Sequence, residues 1–418
     1  MRKPRLLLLS YAFPPATAPE AMLSAKRAAN LDGWDVEVIA AAPFHPGHGN
    51  DADMAAWVEQ RFAAIHRMTP AVRLPFHRLG TLAHLPDPMR LINRQAVRLA
   101  QRLHDKQPFD AMLSWSTYHS VHLAALELKK RTGLPWLAHM SDPWVDNPFV
   151  TYGGLTGALN RSYERAVIGG CDRVLFTTPE TVELVMAKYP PEWRTRAVVI
   201  PHGYDPSLYS GKKPPPSENR PLTVRYLGNF YGARSPEPLY AALAEISARS
   251  PRALDGVRFE IVGRLDEGMS DTPAARALPP ALVATVPQVG YAKSLEMMET
   301  ADLLLIVDAP ARLSVFLPSK LVDYLGSGRP IVSLTPPGAS RRVTEQVGFW
   351  AADPQDAPGC ADALMHALAA VRSGAALSAD VSAYSARVTA DALAAVLAEV
   401  MPEVMKRHEG AACAPLGS

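Results

Sequence analysis

Three residues of one short stretch, Ser319, Lys320 and Asp323, have the types and spacing needed to hold an anion beside a pair of hydroxyls. They sit in Val315-Phe-Leu-Pro-Ser-Lys-Leu-Val-Asp-Tyr-Leu-Gly-Ser-Gly-Arg-Pro-Ile-Val-Ser-Leu334, which reads as a helix start, a Gly-Ser-Gly exit and an apolar strand. Pro318 belongs at a first helical turn, where backbone N–H groups point outward and the helix dipole attracts anions. Lys320 beside those amides suits a phosphate. Asp323, one turn on, suits two sugar hydroxyls, because an ionised carboxylate is a bidentate acceptor. The plain alternative is a Lys320–Asp323 i,i+3 ion pair, worth only about 0.2–0.5 kcal/mol.

Other strand ends carry similar chemistry. Val-Arg-Tyr-Leu-Gly228-Asn229-Phe-Tyr231-Gly232-Ala-Arg234 places two glycines and a guanidinium before a helix expected from Pro236, and Arg234 can clamp a diphosphate bidentately. Ile-Val-Gly263-Arg264 again pairs a strand-end glycine with a cation. Gly228, Asn229, Arg234, Arg264, Pro318, Ser319, Lys320 and Asp323 are therefore the candidate anion- and sugar-binding set. In the first half, one strand empties into Trp115-Ser-Thr-Tyr118-His119-Ser120 and another into His139-Met-Ser141-Asp142-Pro-Trp144. Asp142 and His119 are candidate hydrogen-bond partners or bases, and Tyr118 and Trp144 a candidate aromatic wall for a hydroxylated substrate. The alternatives are that Asp142 caps its own turn and that His119 is a satisfied loop histidine.

The elements that must position these residues alternate between strand and helix. Strands read at Leu6–Tyr11, Val36–Ala41, Ala111–Ser114, Trp136–His139, Arg173–Phe176 and Val198–Ile200, with helices at about Pro19–Asn30, Met89–His104, Val121–Arg131, Thr156–Val167 and Pro179–Tyr189. Thr178-Pro-Glu is a well-formed helix start. From Asp205 the chain turns polar and proline-rich, as a connection between domains should. The alternation resumes with strands at Thr223–Leu227, Arg258–Val262, Leu303–Val307 and Ile331–Leu334. Helices there read at about Glu237–Ala248, Leu295–Ala301, Ser319–Gly326 and Ala339–Gln346, and the tail from Cys360 to Arg407 reads as helical throughout. The pattern predicts an α/β protein of two doubly wound parallel sheets facing a cleft, with ligands at the carboxyl ends of the strands. The expected divisions are 1–204, a linker 205–221, a second domain 222–385, and a C-terminal helix and tail 386–418 that returns to the first domain.

Composition narrows the function classes. The chain has 418 residues, 48% hydrophobic and 20% charged, with a net charge of +2, which suits a two-domain globular protein and argues against a nucleic-acid binder. Cys171, Cys360 and Cys413 have no metal or redox spacing and read as reduced thiols. No Gly-x-Gly-x-x-Gly, Walker loop or His-Glu-x-x-His occurs, and no Asp-x-Asp pair supports a metal site, so neither a dinucleotide, a P-loop nor a metal site is indicated. No apolar run approaches a membrane span and the N-terminal apolar stretch is broken by Pro14-Pro15, so a cytoplasmic location is expected. Basic residues concentrate between Arg61 and Lys106, with Arg90, Arg94, Arg98 and Arg102 recurring every fourth residue. That pattern fits either a solvated helix face or contact with an anionic inner membrane.

Taken together these motifs resemble the retaining glycosyltransferases of the GT-B fold, family four, in the bacterial polysaccharide branch and its Pro-Ser-Lys subset. Phe13-Pro-Pro15 resembles the family's opening, Ser141-Asp-Pro-Trp144 its acceptor-side loop, and Pro201-His-Gly-Tyr-Asp205 its domain-crossing segment. Gly228 and Arg234 match the ends of its Gly-Arg-x4-Lys segment, with Asn229 in place of the arginine. Asp323 falls on the ribose-binding position of the family's Glu-x7-Glu pair, whereas Val315 replaces the first glutamate and Ala16-Thr-Ala-Pro-Glu20 replaces paired glycines.

The resemblance implies transfer of a sugar from a nucleotide diphosphate-sugar to a hydroxyl of a glycan, lipid-linked or small-molecule acceptor. Retention at the anomeric carbon, independence of metal and cofactor, and domain closure over the substrates are implied with it. Lys320 and Arg234 would stabilise the leaving diphosphate, and Asp142 and His119 would orient the acceptor. Two alternatives stay open: a nucleotide-sugar 2-epimerase of the same fold, and an inactive subunit supporting a partner transferase.

Overall fold

A computed structural model describes residues 2–42, 49–69, 85–214, 220–374, 377 and 379–412, with side chains described as far as residue 401. The chain divides into two compact units, one of residues 1–201 with 386–418, the other of residues 202–385. Each is built on a wholly parallel sheet.

In the first unit the strands are β1 (Arg5–Ser10), β2 (Asp35–Ala41), β3 (Ala64–Met68), β4 (Ala111–Trp115), β5 (Trp136–Met140), β6 (Arg173–Phe176) and β7 (Ala197–Val199). Their order is β3-β2-β1-β4-β5-β6-β7, with Leu8 opposite both Val38 and Leu113. The second unit holds β8 (Leu222–Leu227), β9 (Val257–Val262), β10 (Val283–Val286), β11 (Leu303–Val307), β12 (Ile331–Leu334) and β13 (Trp350–Ala352), ordered β10-β9-β8-β11-β12-β13. Central strands are apolar along their length because helices cover both faces; every residue of β1, β4, β5, β11 and β12 is buried. Strand order reverses between β1 and β4, and again between β8 and β11. Right-handed crossovers then leave a crevice at the carboxyl ends of those strands.

Most expected elements are present within a few residues, and the exceptions have physical causes. The helix Ala52–Glu59 and strands β3, β10 and β13 were not expected. Those three strands are sheet edges with mostly half-buried residues, so their sequences lack a continuous apolar run. The expected helix from Met89 begins as a 3₁₀ turn, Pro88–Ile92, before Asn93–Lys106. Its start is set by Asp87, whose carboxylate accepts from Met89 N–H at 3.0 Å and from Ser120 N–H at 2.8 Å. Thr178 caps its helix, accepting from Thr181 N–H at 3.1 Å.

The tail is not helical throughout: Ala357–Arg372 ends near Gly374, at φ 67°, and a new helix runs Ala386–Ala412. Ala386, Ala390, Leu393, Leu397 and Val400 form the buried stripe of that second helix, which packs on Pro19–Ala29 of the first unit. The described part of 205–221 belongs to the second unit. There Ser210 and Gly211 donate to Glu299 at 2.6–3.0 Å, and Arg220 pairs with Asp302 at 2.6 Å. Cys171 and Cys360 are buried free thiols, each pushed up to about 12 mainly by burial; Cys413 lies outside the described residues.

Candidate functional site

In the second unit the site forms where the sheet reverses. Gly228 follows β8 at φ 143° and Gly263 follows β9 at φ 149°, conformations that favour glycine. A Cβ on Gly263 would lie 2.1 Å from the Gly228 carbonyl oxygen, so the two strand ends can only meet because that atom is missing. Asn229 locks the junction, its Oδ1 accepting from Arg264 N–H at 2.9 Å, while the Arg264 side chain is exposed. Asn229 thus acts here as a brace between loops.

The helix Ser319–Gly326 points its N-terminus into this junction, with Pro318 as its cap residue. Lys320 folds back over β8: its Nζ donates to Tyr226 Oη at 2.6 Å, lies 4.1 Å from that ring's centroid, and sits where a Gly228 Cβ would be. Across the reversal, Arg234 meets Asp308 at 3.1 Å, at the end of β11, and Ser340 Oγ donates to the same carboxylate at 3.1 Å. Burial, and then the Arg234 cation, push the Lys320 ammonium down to about 7, against a smaller upward pull from Asp308. The lysine is therefore poised to gain charge when an anion arrives.

Asp323, one turn further on, is buried and accepts from Tyr291 Oη at 3.1 Å, while its backbone carbonyl accepts from Tyr209 Oη at 2.8 Å. Both phenols are held well above their usual range by burial and then by Asp323. Val315 is buried and offers no carboxylate. Gly228, Asn229, Arg234, Arg264, Pro318, Ser319 and Lys320 thus gather at one end of one sheet, with Asp323 a turn behind. Tyr226, Asp308, Ser340 and Tyr291 were not singled out in the sequence. Asp308 alone had a signal, as the polar residue ending a central apolar strand.

The first unit's candidates sit at its own reversal. Asp142 is exposed at the end of β5. Ser141 beside it donates to Glu20 at 2.6 Å, and Trp115 Nε1 at the end of β4 donates to the same carboxylate at 3.3 Å. Tyr118 is half-buried, its phenol pushed up to about 12 by burial and then by Asp87. His119 stacks face to face on Trp144 with ring centroids 4.5 Å apart, and burial pushes it down to about 3. It is neutral at physiological pH, so it can exchange hydrogen bonds but is not a cation.

Trp144 is not an exposed wall. It is fully buried with its indole N–H given to Asn160 at 2.8 Å, because an apolar ring next to the loop gains more from the core than from solvent. The loop is pinned further by Glu164, which accepts from Val145 N–H at 2.9 Å, from Tyr189 Oη at 2.5 Å, and pairs with Lys188 at 2.6 Å. Glu20 is the residue of this group that sequence reading missed. It ends the Ala16-Thr-Ala-Pro-Glu20 segment that stands in place of paired glycines, where nothing in residue order signals a partner at Ser141.

Among the described residues no cluster of three or more His, Cys, Asp or Glu side chains is arranged to hold a metal ion, and no helix is long and apolar enough to cross a membrane.

Residues 20–203, a little under half of the chain, match the family model described as a glycosyl transferase 4-like domain. No curated protein matches the sequence. Among solved structures, HepE of Anabaena in complex with UDP-glucose is 16% identical, covers 97% of this chain and 99% of its own, and superposes with a TM-score of 0.59. A glycosyltransferase from Rickettsia africae is 11% identical over 96% and 99% of the two chains, with a TM-score of 0.64. Sucrose-phosphate synthase from Thermosynechococcus elongatus is 17% identical over 98% and 100%, with a TM-score of 0.59. The two parallel-sheet units match those of the GT-B fold, and residues 20–203, nearly all in the first unit, are similar in sequence to the glycosyl transferase 4-like domain.

The Gly228–Gly263 contact yields a direct test. Gly263→Ala is expected to cost roughly 2–3 kcal/mol of stability in urea unfolding. Gly49→Ala, where a Cβ meets only the Thr17 side chain, at 3.8 Å, is expected to change it by no more than about 0.5 kcal/mol.

Proposed function

We propose that this protein is a nucleotide-sugar-dependent glycosyltransferase that moves a sugar, with retention, to a hydroxyl of a glycan, lipid-linked or small-molecule acceptor, without metal or cofactor. The observation that carries the reading is the convergence of Lys320 and Arg234 on the amide-bearing N-terminus of helix Ser319–Gly326, with Asp323 one turn behind. A diphosphate bound there would accept hydrogen bonds from the helix N–H groups and both cations. Ribose hydroxyls would bond to the Asp323 carboxylate, whose orientation Tyr291 fixes.

When the bond from sugar to phosphate breaks, charge grows on the leaving diphosphate, the largest electrostatic change in the reaction. Lys320 and Arg234 answer it in place of a divalent ion. Lys320 would take up a proton as the anion binds, because the added negative charge offsets the burial and the Arg234 cation that hold it near neutrality. The acceptor belongs to the first unit, where Asp142 would accept its hydrogen bond and neutral His119 would help to orient it. The leaving phosphate itself would take the acceptor's proton. The complex of HepE with UDP-glucose makes UDP-sugars the first donors to test.

A membrane-facing role is part of the proposal. Arg94, Arg98, Arg102 and Lys106 are exposed along helix Asn93–Lys106 while Leu99 and Leu103 pack inward. In the same unit Phe149, Val150 and Leu155 are exposed by 57%, 43% and 63%. Such a combination suits docking on an anionic inner leaflet, where a lipid-linked acceptor would be met. Other cations of the Arg61–Lys106 stretch are engaged locally: Arg61 lies over Trp57 at 4.4 Å, Arg90 over Tyr163 at 5.1 Å, and Arg67 donates to the Pro14 carbonyl. Arg73 and Arg78 lie outside the described residues.

Calorimetric titration with UDP tests the donor site. Lys320→Ala is expected to weaken binding about 10- to 100-fold, the worth of hydrogen bonds to a charged group. Asp323→Ala should weaken UDP but not inorganic pyrophosphate, and unchanged affinities in both variants would overturn the assignment. For the membrane role, each of Arg94, Arg98 and Arg102 replaced by Gln is expected to lower partition onto phosphatidylglycerol vesicles about fivefold. Wild-type protein that ignores such vesicles would remove that role.

A further inference from the structure

The two cations of the donor side stand far apart in the chain, Arg234 in the loop after β8 and Lys320 in the first turn of helix Ser319–Gly326. One buried pair of side chains touches the framework of both. Asp308 follows β11 directly and is buried. Its Oδ1 lies 3.1 Å from Arg234 Nη2, and its Oδ2 accepts from Ser340 Oγ at 3.1 Å. Ser340 is fully buried in the first turn of helix Ala339–Gln346. The same hydroxyl lies 3.2 Å from the carbonyl oxygen of Phe316, two residues before the Pro318 cap of the Lys320 helix. A hydroxyl has one proton, so Ser340 divides it between the anchor of Arg234 and the approach to Lys320.

The backbone ties the same elements together. Ser314 N–H donates to the Pro337 carbonyl at 2.8 Å, and Ala339 N–H to the Ser314 carbonyl at 2.9 Å. Gly338 between them has φ 129°, and a Cβ there would lie 1.9 Å from the Ser314 oxygen. Behind Ser340, its own carbonyl accepts from Thr344 Oγ1 at 2.9 Å, and Thr344 shares a hydrogen bond of 2.7 Å with Ser333 of β12. Asp308 N–H donates to the Leu334 carbonyl, also of β12, at 3.1 Å. The pair is therefore fixed to the sheet and reaches both cation-bearing segments.

We propose that Asp308 and Ser340 are positioning residues of the donor side, a buried brace that holds the Arg234 guanidinium and the approach to the Lys320 helix in one relation before a diphosphate binds. This rests on the transferase reading. A carboxylate beside an anion site is repulsive in itself, so any benefit must come through Arg234. An arginine has large rotamer freedom, and fixing it in advance removes that ordering loss from binding. A guanidinium carries five N–H donors in a rigid fork, so one held at Nη2 can present others to phosphate oxygens.

Two measurements test the brace, and the first needs no ligand. Hydrogen–deuterium exchange of the full chain is followed by mass spectrometry. Ser340→Ala should speed exchange about threefold or more over residues 314–321, and Asp308→Asn over residues 228–236, with the first unit unchanged in both. The second is calorimetric titration with inorganic pyrophosphate. Asp308→Asn should weaken binding about tenfold when Arg234 is present. In Arg234→Gln, which leaves no cation to hold, the same substitution removes only a repelling charge and should tighten binding about two- to fivefold. A change that merely loosened the fold would act in the same direction in both backgrounds.

Unchanged exchange over 314–321 in Ser340→Ala overturns the proposal. So does an Asp308→Asn effect on pyrophosphate affinity that has the same sign in both backgrounds or is missing from both. Faster exchange in both segments, with no binding of pyrophosphate or UDP by the wild type, would support the brace and overturn the donor reading instead.

Discussion

Parallel strands can be joined only by crossovers, and the right-handedness of those crossovers makes a sheet that winds both ways split at its first strand. In this chain the split falls between β1 and β4 and again between β8 and β11, and each candidate residue owes its place to one of them. In the second unit the reversal is bridged by Arg234 and Asp308; in the first, by Glu20 reaching Trp115. The helices that follow β1 and β8 diverge from those that follow β4 and β11. Polar side chains at these ends consequently have no regular partner supplied by the sheet, and they pair with one another or with a ligand.

The two reversals are tuned by the same force with opposite results. Burial disfavours charge of either sign, so it lowers the Lys320 ammonium to about 7 and raises the Glu20 carboxyl to about 8. Both groups therefore sit closer to neutrality than their free counterparts, and an anion arriving beside Lys320 would draw a proton onto it. In each case a like charge adds to burial, Arg234 for the lysine and Asp142 for the glutamate.

Much of this was legible in residue order. Central strands announced themselves as unbroken apolar runs, and β11 and β12 fall on their expected residues. Gly228, Lys320 and Asp323 could be read because glycine, a helix-start lysine and a carboxylate at i+3 each have few reasons to occur together at a strand end. Edge strands such as Val283–Val286 escaped, since a half-buried strand at a sheet's border has no period distinct from that of a loop. Trp144 misled for a related reason: sequence shows that an aromatic stands beside Asp142 but not which way its ring turns, and Asn160, 16 residues on, decides that. Glu20 and Asp308 depend on partners more than 70 residues away, at Ser141 and Arg234. Such long-range pairing leaves no local signature.

The central claim is that the Lys320–Arg234 junction is an anion site completed by a diphosphate. It is tested most directly by calorimetry of UDP binding at pH 8 in two buffers of different ionisation enthalpy. A lysine held near 7 must take up a proton when the diphosphate arrives, so the measured heats should differ between buffers in proportion to a net uptake approaching one proton. Binding with buffer-independent heat, or no binding of UDP at all, would contradict the account.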